Sequence, residues 1–269
     1  MEVLQIDLKG KMAHFRKYYA NNTAMSFSIP PRTTLMGMLA ALLGLPKDEY
    51  YSSLASDKMR IGVALLSPIK KSFHRLNFLS IKSLGNLKTD FEKERAFTSD
   101  FRGTGGHIQT PFEIITGYQL QDDEVWYRIY VSYFEEGKNT FEQLKTYMLN
   151  QQSHYNLSFG IACFSAYVSK VKCYQENEIE KCKSDNQIIE FNSAIVSDKI
   201  SALKFEKQDN YSFVEEELMP ADFVANQNRE LSKMNRVIFT HNALPLRVAY
   251  SGNYYVLGQT QTITFLENA

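Results

Sequence analysis

The chain has 269 residues, 44% of them hydrophobic and 22% charged, which excludes a disordered polymer and fits one large domain or two small ones. Thirty basic and thirty acidic side chains cancel, which argues against a free-standing nucleic-acid binder but allows a local basic groove on a subunit of a larger assembly. No apolar run reaches the ~20 residues that cross a bilayer, and the N-terminus reads as a strand rather than a signal peptide, so a cytoplasmic protein without membrane contact is expected.

Val3 to Lys9 alternates. Leu4, Ile6 and Leu8 share one face and Gln5, Asp7 and Lys9 the other, which predicts a first strand. Phe27 to Leu45 (FSIPPRTTLMGMLAALLGL) then holds a helix over Pro31 to Leu43. Pro30 and Pro31 suit a first turn, Leu35, Met38, Leu39, Leu42 and Leu43 form an apolar face, and Gly44 with Pro46 ends it. A short satellite helix is expected near Asp48 to Ala55. Arg60 to Pro68 is a buried second strand, followed by a long irregular insert over about Ile69 to Asp123. Glu124 to Phe134 (EVWYRIYVSYF) is a third strand. Asn139 and Glu142 have capping-box spacing and predict the start of a second helix carrying Phe141, Leu144 and Met148. Ala162 to Tyr174 reads as a fourth strand.

Strand, helix, strand, insert, strand, helix, strand is the split βαβ order, so the expected class is α+β: a ferredoxin-like (RRM-like) domain with a long insert between its second and third strands. The insert exceeds an ordinary connection, and such loops are commonly functional. The polar stretch Glu176 to Asp185 is the expected boundary between this domain, residues 1–175, and a small β-rich domain, residues 176–269. Within the latter, strands are expected at Gln187 to Ile195, Asn235 to His241, Leu246 to Tyr250 and Tyr254 to Leu257, with Ser251-Gly252-Asn253 as a hairpin turn. Glu215 to Glu217 reads as a solvated acidic face.

Chemistry concentrates in three places. Arg32, Thr33 and Thr34 occupy the helix's first turn, where free amides, hydroxyls and a guanidinium suit a phosphate. Arg16 and Lys17, followed by Tyr18 and Tyr19, converge on the same region or form surface salt bridges. In the insert, Arg75, Lys82, Arg95 and Arg102 are among basic residues interleaved with Phe73, Phe78, Phe91, Phe97 and Phe101, the pairing of charge and stacking surface that single-stranded RNA requires. Asp90, Glu92, Glu94 and Asp100 dilute it toward a mixed-charge loop. Arg102 to His107 (RGTGGH) is glycine-rich, so that Gly105 and His107 belong either to a mobile tip or to a backbone contact with phosphate. It lacks the Gly-Lys-Ser/Thr ending of a nucleotide-binding loop. Cys163, Cys173 and Cys182 are scattered and odd in number, which predicts buried reduced thiols without a metal or a disulfide. No metal and no cofactor are expected.

The Phe-x-x-Pro-Pro-Arg-Thr-Thr block running into Gly-x-x-Ala-Ala, with HFRKYYANN (His14 to Asn22) upstream and GLPKDEYY (Gly44 to Tyr51) downstream, resembles the CRISPR-associated Cas-five family of the repeat-associated (RAMP) group, closest to subtype I-B members. Weaker echoes follow at Tyr127 to Val131 and Asn156 to Val168. The resemblance implies a protruding thumb-like hairpin in the insert. It places the RAMP glycine-rich loop at Ser158-Phe159-Gly160, where a single glycine remains, and makes Ser158 and Gly160 RNA contacts. It implies a non-catalytic subunit of a type I Cascade effector complex in antiviral defence. That subunit would cap the 5′ handle of CRISPR RNA and join the Cas-seven-family backbone subunit to the large subunit, with target DNA near the PAM as a further contact. The alternative within the family is a metal-independent endoribonuclease processing CRISPR RNA, as in subtype I-C, which uses a tyrosine, a lysine and an adjacent histidine. No Lys-His dipeptide occurs here, and Lys71 with His74 is the nearest approach.

Overall fold

The alternating N-terminus forms β1 (Val3–Gly10) in the computed structural model, which describes residues 1–20, 23–46, 49–79, 106–205, 214–224 and 229–267. A short ladder of β2 (Phe15–Arg16) and β3 (Ser26–Phe27) leads into α1 (Arg32–Leu43). Pro31 is its N-cap and Gly44, left-handed at φ 72°, closes it with amide bonds to Ala40 and Ala41 carbonyls. Residues 49–58 are turns and bends, so the satellite helix expected near Asp48 to Ala55 is not formed among the described residues. A single turn, with Leu54 N–H donating to Tyr50 C=O at 3.0 Å, stands in its place.

The chain then forms β4 (Met59–Leu65), β5 (Lys70–Leu79), β6 (His107–Thr116), β7 (Val125–Tyr133), α2 (Lys138–Leu149), β8 (Leu157–Ser158) and β9 (Ser165–Tyr174). Five of these strands make one antiparallel sheet in the order β4-β7-β1-β9-β8. Leu4, Ile6 and Leu8 face the helices, packing with Leu35, Leu39 and Leu42 of α1 and Phe141, Leu144 and Met148 of α2. Each such fully buried large side chain contributes about 1.5–3 kcal/mol. Helix α2 begins two residues earlier than expected. Gly137 is its N-cap and no side chain caps it, so Asn139 lies inside the first turn and the expected capping box is absent. A side chain at Gly137 would meet the Lys58 carbonyl oxygen at 2.2 Å, so close packing selects that residue.

The insert is an antiparallel hairpin, β5 with β6, in register from Lys70↔Thr116 to Leu79↔His107. Its base is anchored by bridges from Ala13 to Ile115 and from Ala24 to Phe112. The stretch beyond it, residues 80–105, lies outside the described residues.

The C-terminal part is made of strands: β10 (Ile179–Phe191), β11 (Ile195–Val196), β12 (Ile200–Leu203), β13 (Val214–Phe223), β14 (Leu231–Thr240), β15 (Leu246–Leu257) and β16 (Gln261–Ile263). One sheet has the order β10-β15-β12 with β16 also on β15, and another β11-β14-β13. The stretch expected as a boundary is largely strand, and the expected turn is corrected. Most of Glu176 to Asp185 belongs to β10, because its charged side chains alternate along an exposed strand face. Ser251-Gly252-Asn253 is no turn, because β10 is long enough to pair with β15 through it, Ser184 opposite Gly252.

The two parts share their interior. Ala194, Val196, Met219, Val237, Phe239 and Leu266 belong to the same buried cluster as β1 and α1. The face of β1 expected to be polar is also covered. Gln5 and Asp7 are buried, and Asp7 takes a two-pronged bond from Arg128 at 2.6 and 2.8 Å. Arg128 and Tyr130 both donate to Gln261 Oε1, and Gln261 Nε2 donates to the Tyr174 hydroxyl at 2.8 Å. Burial alone would lower the Arg128 pKa, but the Asp7 carboxylate raises it, so the guanidinium is held charged.

Candidate nucleic-acid interface

A cleft of about 280 Å³ opens at the start of α1. Thr33, Thr34, Gly37 and Ala41 of the helix form one wall, Ser158 and Gly160 another, and Tyr50, Phe223 and Arg229 complete it. Four of the expected contact residues, Thr33, Thr34, Ser158 and Gly160, therefore meet although 124 positions or more separate them in sequence (Ser158 minus Thr34). Small residues on α1 make the space: a side chain at Gly37 would meet the Tyr50 hydroxyl at 3.4 Å.

The loop after β8 is held by its backbone. Phe159 N–H donates to Phe164 C=O at 2.8 Å, and His14 N–H donates to Phe159 C=O at 3.0 Å. Gly160 has φ 92°, and a Cβ there would lie 1.9 Å from the His14 carbonyl oxygen. Both facts demand glycine. His14 itself is buried against Phe112, ring centroids 3.9 Å apart, with Nδ1 bonded to the Glu113 carbonyl. Burial lowers its pKa, against the opposing pull of that carbonyl, so it sits in the neutral form.

Arg32 does not reach the cleft. It is 2% exposed, and all three guanidinium nitrogens bond inward: Nε to Glu267 at 2.6 Å, Nη1 to Asp222 at 2.7 Å and to the Ala221 carbonyl, Nη2 to the Leu54 and Met59 carbonyls at 2.9 Å each. The expected phosphate contact is corrected: with its donors occupied and its head enclosed, Arg32 is an internal tie. Lys17 is likewise turned inward, ion-paired with Glu217 and only 6% exposed, so it offers no free cation. Arg16 stays exposed at the end of β2, with Nη2 on the Ala20 carbonyl at 3.3 Å. Beside it Tyr18 and Tyr19 are exposed and cross edge to face at 5.0 Å.

Arg75 and His107 are exposed on the hairpin and do not line the cleft. Phe73 and Phe78 are also exposed there, at 58% and 44%. Lys82, Arg95, Arg102 and Gly105 lie outside the described residues.

In the acidic run on β13, Glu216 is exposed but Glu215 and Glu217 are half-buried, which corrects the expected solvated face for those two. Glu215 accepts from Ser28 at 2.6 Å, lies 3.6 Å from Lys71 Nζ, and bonds His241. Burial would raise its pKa, yet these bonds hold it well below the usual carboxylate range. Burial and the neighbouring Glu215 push Glu217 the other way. Strand alternation puts Glu215 and Glu217 on one inward face, where they meet Lys71 and Lys17. Sequence reasoning also missed Tyr50, Phe223 and Arg229 of the cleft; lone residues far from the motif carry no local signal.

Among the described residues no group of three or more His, Cys, Asp or Glu is arranged to hold a metal ion, and no helix is long and apolar enough to cross a membrane. The cysteines are free, but Cys163 is exposed and the other two half-buried, which corrects the expectation of buried thiols.

No protein-family model matches the sequence, and no curated protein does. Solved structures it is similar to include proteins described as CRISPR-associated. A CRISPR protein from Archaeoglobus fulgidus matches over 100% of both chains at 12% identity with a TM-score of 0.55. A chain of a CRISPR RNA-guided surveillance complex matches over 91% of both at 10% identity and 0.48, and a Cas protein over 91% of this chain and 98% of its own at 14% and 0.44. The first of these shows a shared fold across the whole chain.

Proposed function

We propose that this chain is a non-catalytic, RNA-binding subunit of a Cascade-type CRISPR effector complex, a Cas-five-like protein that seats the 5′ handle of CRISPR RNA. The observation that carries the reading is the cleft joining Thr33 and Thr34 at the helix start to Ser158 and Gly160, with Tyr50 as a stacking surface and Arg229 at its rim. The shared fold with the A. fulgidus CRISPR protein supports it. So does the strand order β9-β1-β7-β4 with a helix after β1 and another after β7, the arrangement of a ferredoxin-like domain. In this reading the exposed β5–β6 hairpin serves as the thumb, offering Arg75 and His107 to the guide and the adjoining Cas-seven-family subunit, and the chain joins that subunit to the large subunit, with target DNA near the PAM as a further contact. RNA is held by hydroxyls, backbone amides and Arg16 more than by buried cations, which accords with zero net charge.

A non-catalytic role is favoured because Lys71 and His74, the nearest approach to the lysine–histidine pair of the catalytic members, are not brought together as a pair. Lys71 faces Glu215, His74 bonds Ser72 on the exposed hairpin, and His14 is buried.

The test is fluorescence anisotropy of the purified chain with a labelled repeat-derived handle RNA at two salt concentrations, read beside a gel for cleavage. Affinity should fall as salt rises, because phosphate contacts release counterions. Thr34→Val and Ser158→Ala should each weaken binding by about 0.5–1.5 kcal/mol, the scale of one hydrogen bond. RNA should stay intact without metal. Unchanged affinity in both variants would overturn the cleft assignment, and a discrete metal-free cut lost in His74→Ala would establish the enzyme.

A further inference from the structure

The two edges of the five-stranded sheet are treated differently. At the β4 edge, Ala194 N–H donates to Val63 C=O at 2.8 Å, Leu266 N–H to Ile61 C=O at 2.9 Å, and Ile61 N–H to the Glu267 carboxylate. That edge is sealed. At the other edge β8 pairs with β9 only through Leu157↔Ala166 and Ser158↔Ser165. Beyond Ala166, among the described residues, no strand pairs with the outer side of β9. Backbone groups there are satisfied only by solvent or by an added strand.

A groove of about 490 Å³ runs along this open edge, between Tyr167 to Val171 and the C-terminal end of α2. Its walls are half apolar, with Leu42, Met148, Leu157 and Val168 at its base. Leu149 and Tyr167 on its rim are 54% and 50% exposed. An unpaired edge beside an apolar slot is what an extended peptide uses: main-chain bonds hold it and alternate side chains enter the slot.

Self-pairing is disfavoured. The β1–β9 ladder is bulged between Asp7 and Leu8, which twists the edge, and exposed Lys170 would face a second Lys170 in a symmetric antiparallel pairing centred there. The same lysine selects a carboxylate. We propose that the β9 edge, Tyr167 to Val171, is a docking site for an extended segment of another protein that alternates apolar and acidic residues, its apolar side chains entering the groove and an acidic one meeting Lys170. The site does not depend on the RNA-binding reading.

The test uses the full chain with three probes: a synthetic peptide alternating Glu with Leu and Val, its Lys-for-Glu counterpart, and a single-stranded oligoadenylate. Binding is read by anisotropy and its place by amide hydrogen exchange. The acidic peptide should bind more tightly than the basic one and slow exchange at Tyr167 to Val171. Lys170→Glu, a surface change, should weaken the acidic peptide by about two- to fivefold and strengthen the basic one, the scale of one exposed charge pair. Leu149→Glu should weaken both. Absence of peptide binding at millimolar concentration, protection elsewhere, protection of this edge by oligoadenylate instead, or protection that grows with protein concentration through self-association would each overturn the proposal.

Discussion

Arg32 ties together three distant segments. Its guanidinium bonds Asp222, Glu267 and the carbonyls of Leu54, Met59 and Ala221. Removing it takes the cation from Asp222 and from Glu267; burial pushes Glu267 up, while Arg32 and the amides of Ile61 and of Glu267 itself pull it back. Arg32→Met should therefore lower unfolding free energy by about 3–5 kcal/mol, measured in urea, as expected when one member of a buried ion pair is lost. A loss of RNA affinity in a fully folded Arg32→Met protein would contradict this internal role. Glu215 gives a pH prediction. Its pKa is depressed in the fold, so its contribution is present above the ordinary carboxylate pKa of about 4.3 and is lost as pH falls through the folded value. Glu215→Gln should be less stable than the parent at pH 7 and should lose less further stability between pH 5 and pH 3. Urea midpoints at these pH values check it, and parallel curves would refute it. The residue identities at both sites are ordinary in sequence; partners up to 235 positions away for Arg32 and up to 187 for Glu215 decide what they do.

Among the elements, α1 was the most legible. Proline before it, leucines at helical spacing and Gly44 after it all act within a few residues, and the observed helix differs from the expected one by a single position. Helix α2 was placed correctly from its apolar spacing but not from its cap: tight packing of Gly137 on Lys58 overrides the Asn139 signal. The continuous strand through Ser251 to Asn253 shows the converse, a local turn signal overruled by a long partner strand. The β5–β6 hairpin has little core of its own. Phe112 anchors it through Phe164, at 6.4 Å, and His14. Phe112→Ala should cost about 3–5 kcal/mol, the usual loss for a buried phenylalanine, borne locally. Amides of β5 and β6 should then exchange faster while β1 and β7 stay protected. Uniform acceleration across the sheet would show that the hairpin is not a separate unit.

At the scale of the whole molecule, the C-terminal strands are a structural half rather than an appendage. They supply Glu267 and Asp222 to Arg32, cover Gln5 and Asp7, and contribute Met219, Val237 and Phe239 to the common core. A fragment of residues 1–175 would expose that surface and leave the β4 edge unpaired. It should fail to fold cooperatively, giving no sigmoidal urea transition by circular dichroism, whereas the full chain gives one. An independently folded fragment would establish two autonomous domains. The sequence alone determined the order of strands and helices around the first sheet, the ends of α1 and the presence of an insert, because periodicity, proline and glycine act over a few residues. Only the tertiary structure decided that Arg32 and Lys17 turn inward, that Glu215 and Glu217 are half-buried against cations, and that Thr33, Thr34, Ser158 and Gly160 share one cleft with Tyr50 and Arg229. Such facts depend on which segments meet, and a charged side chain reads the same in sequence whether water or a buried carboxylate awaits it.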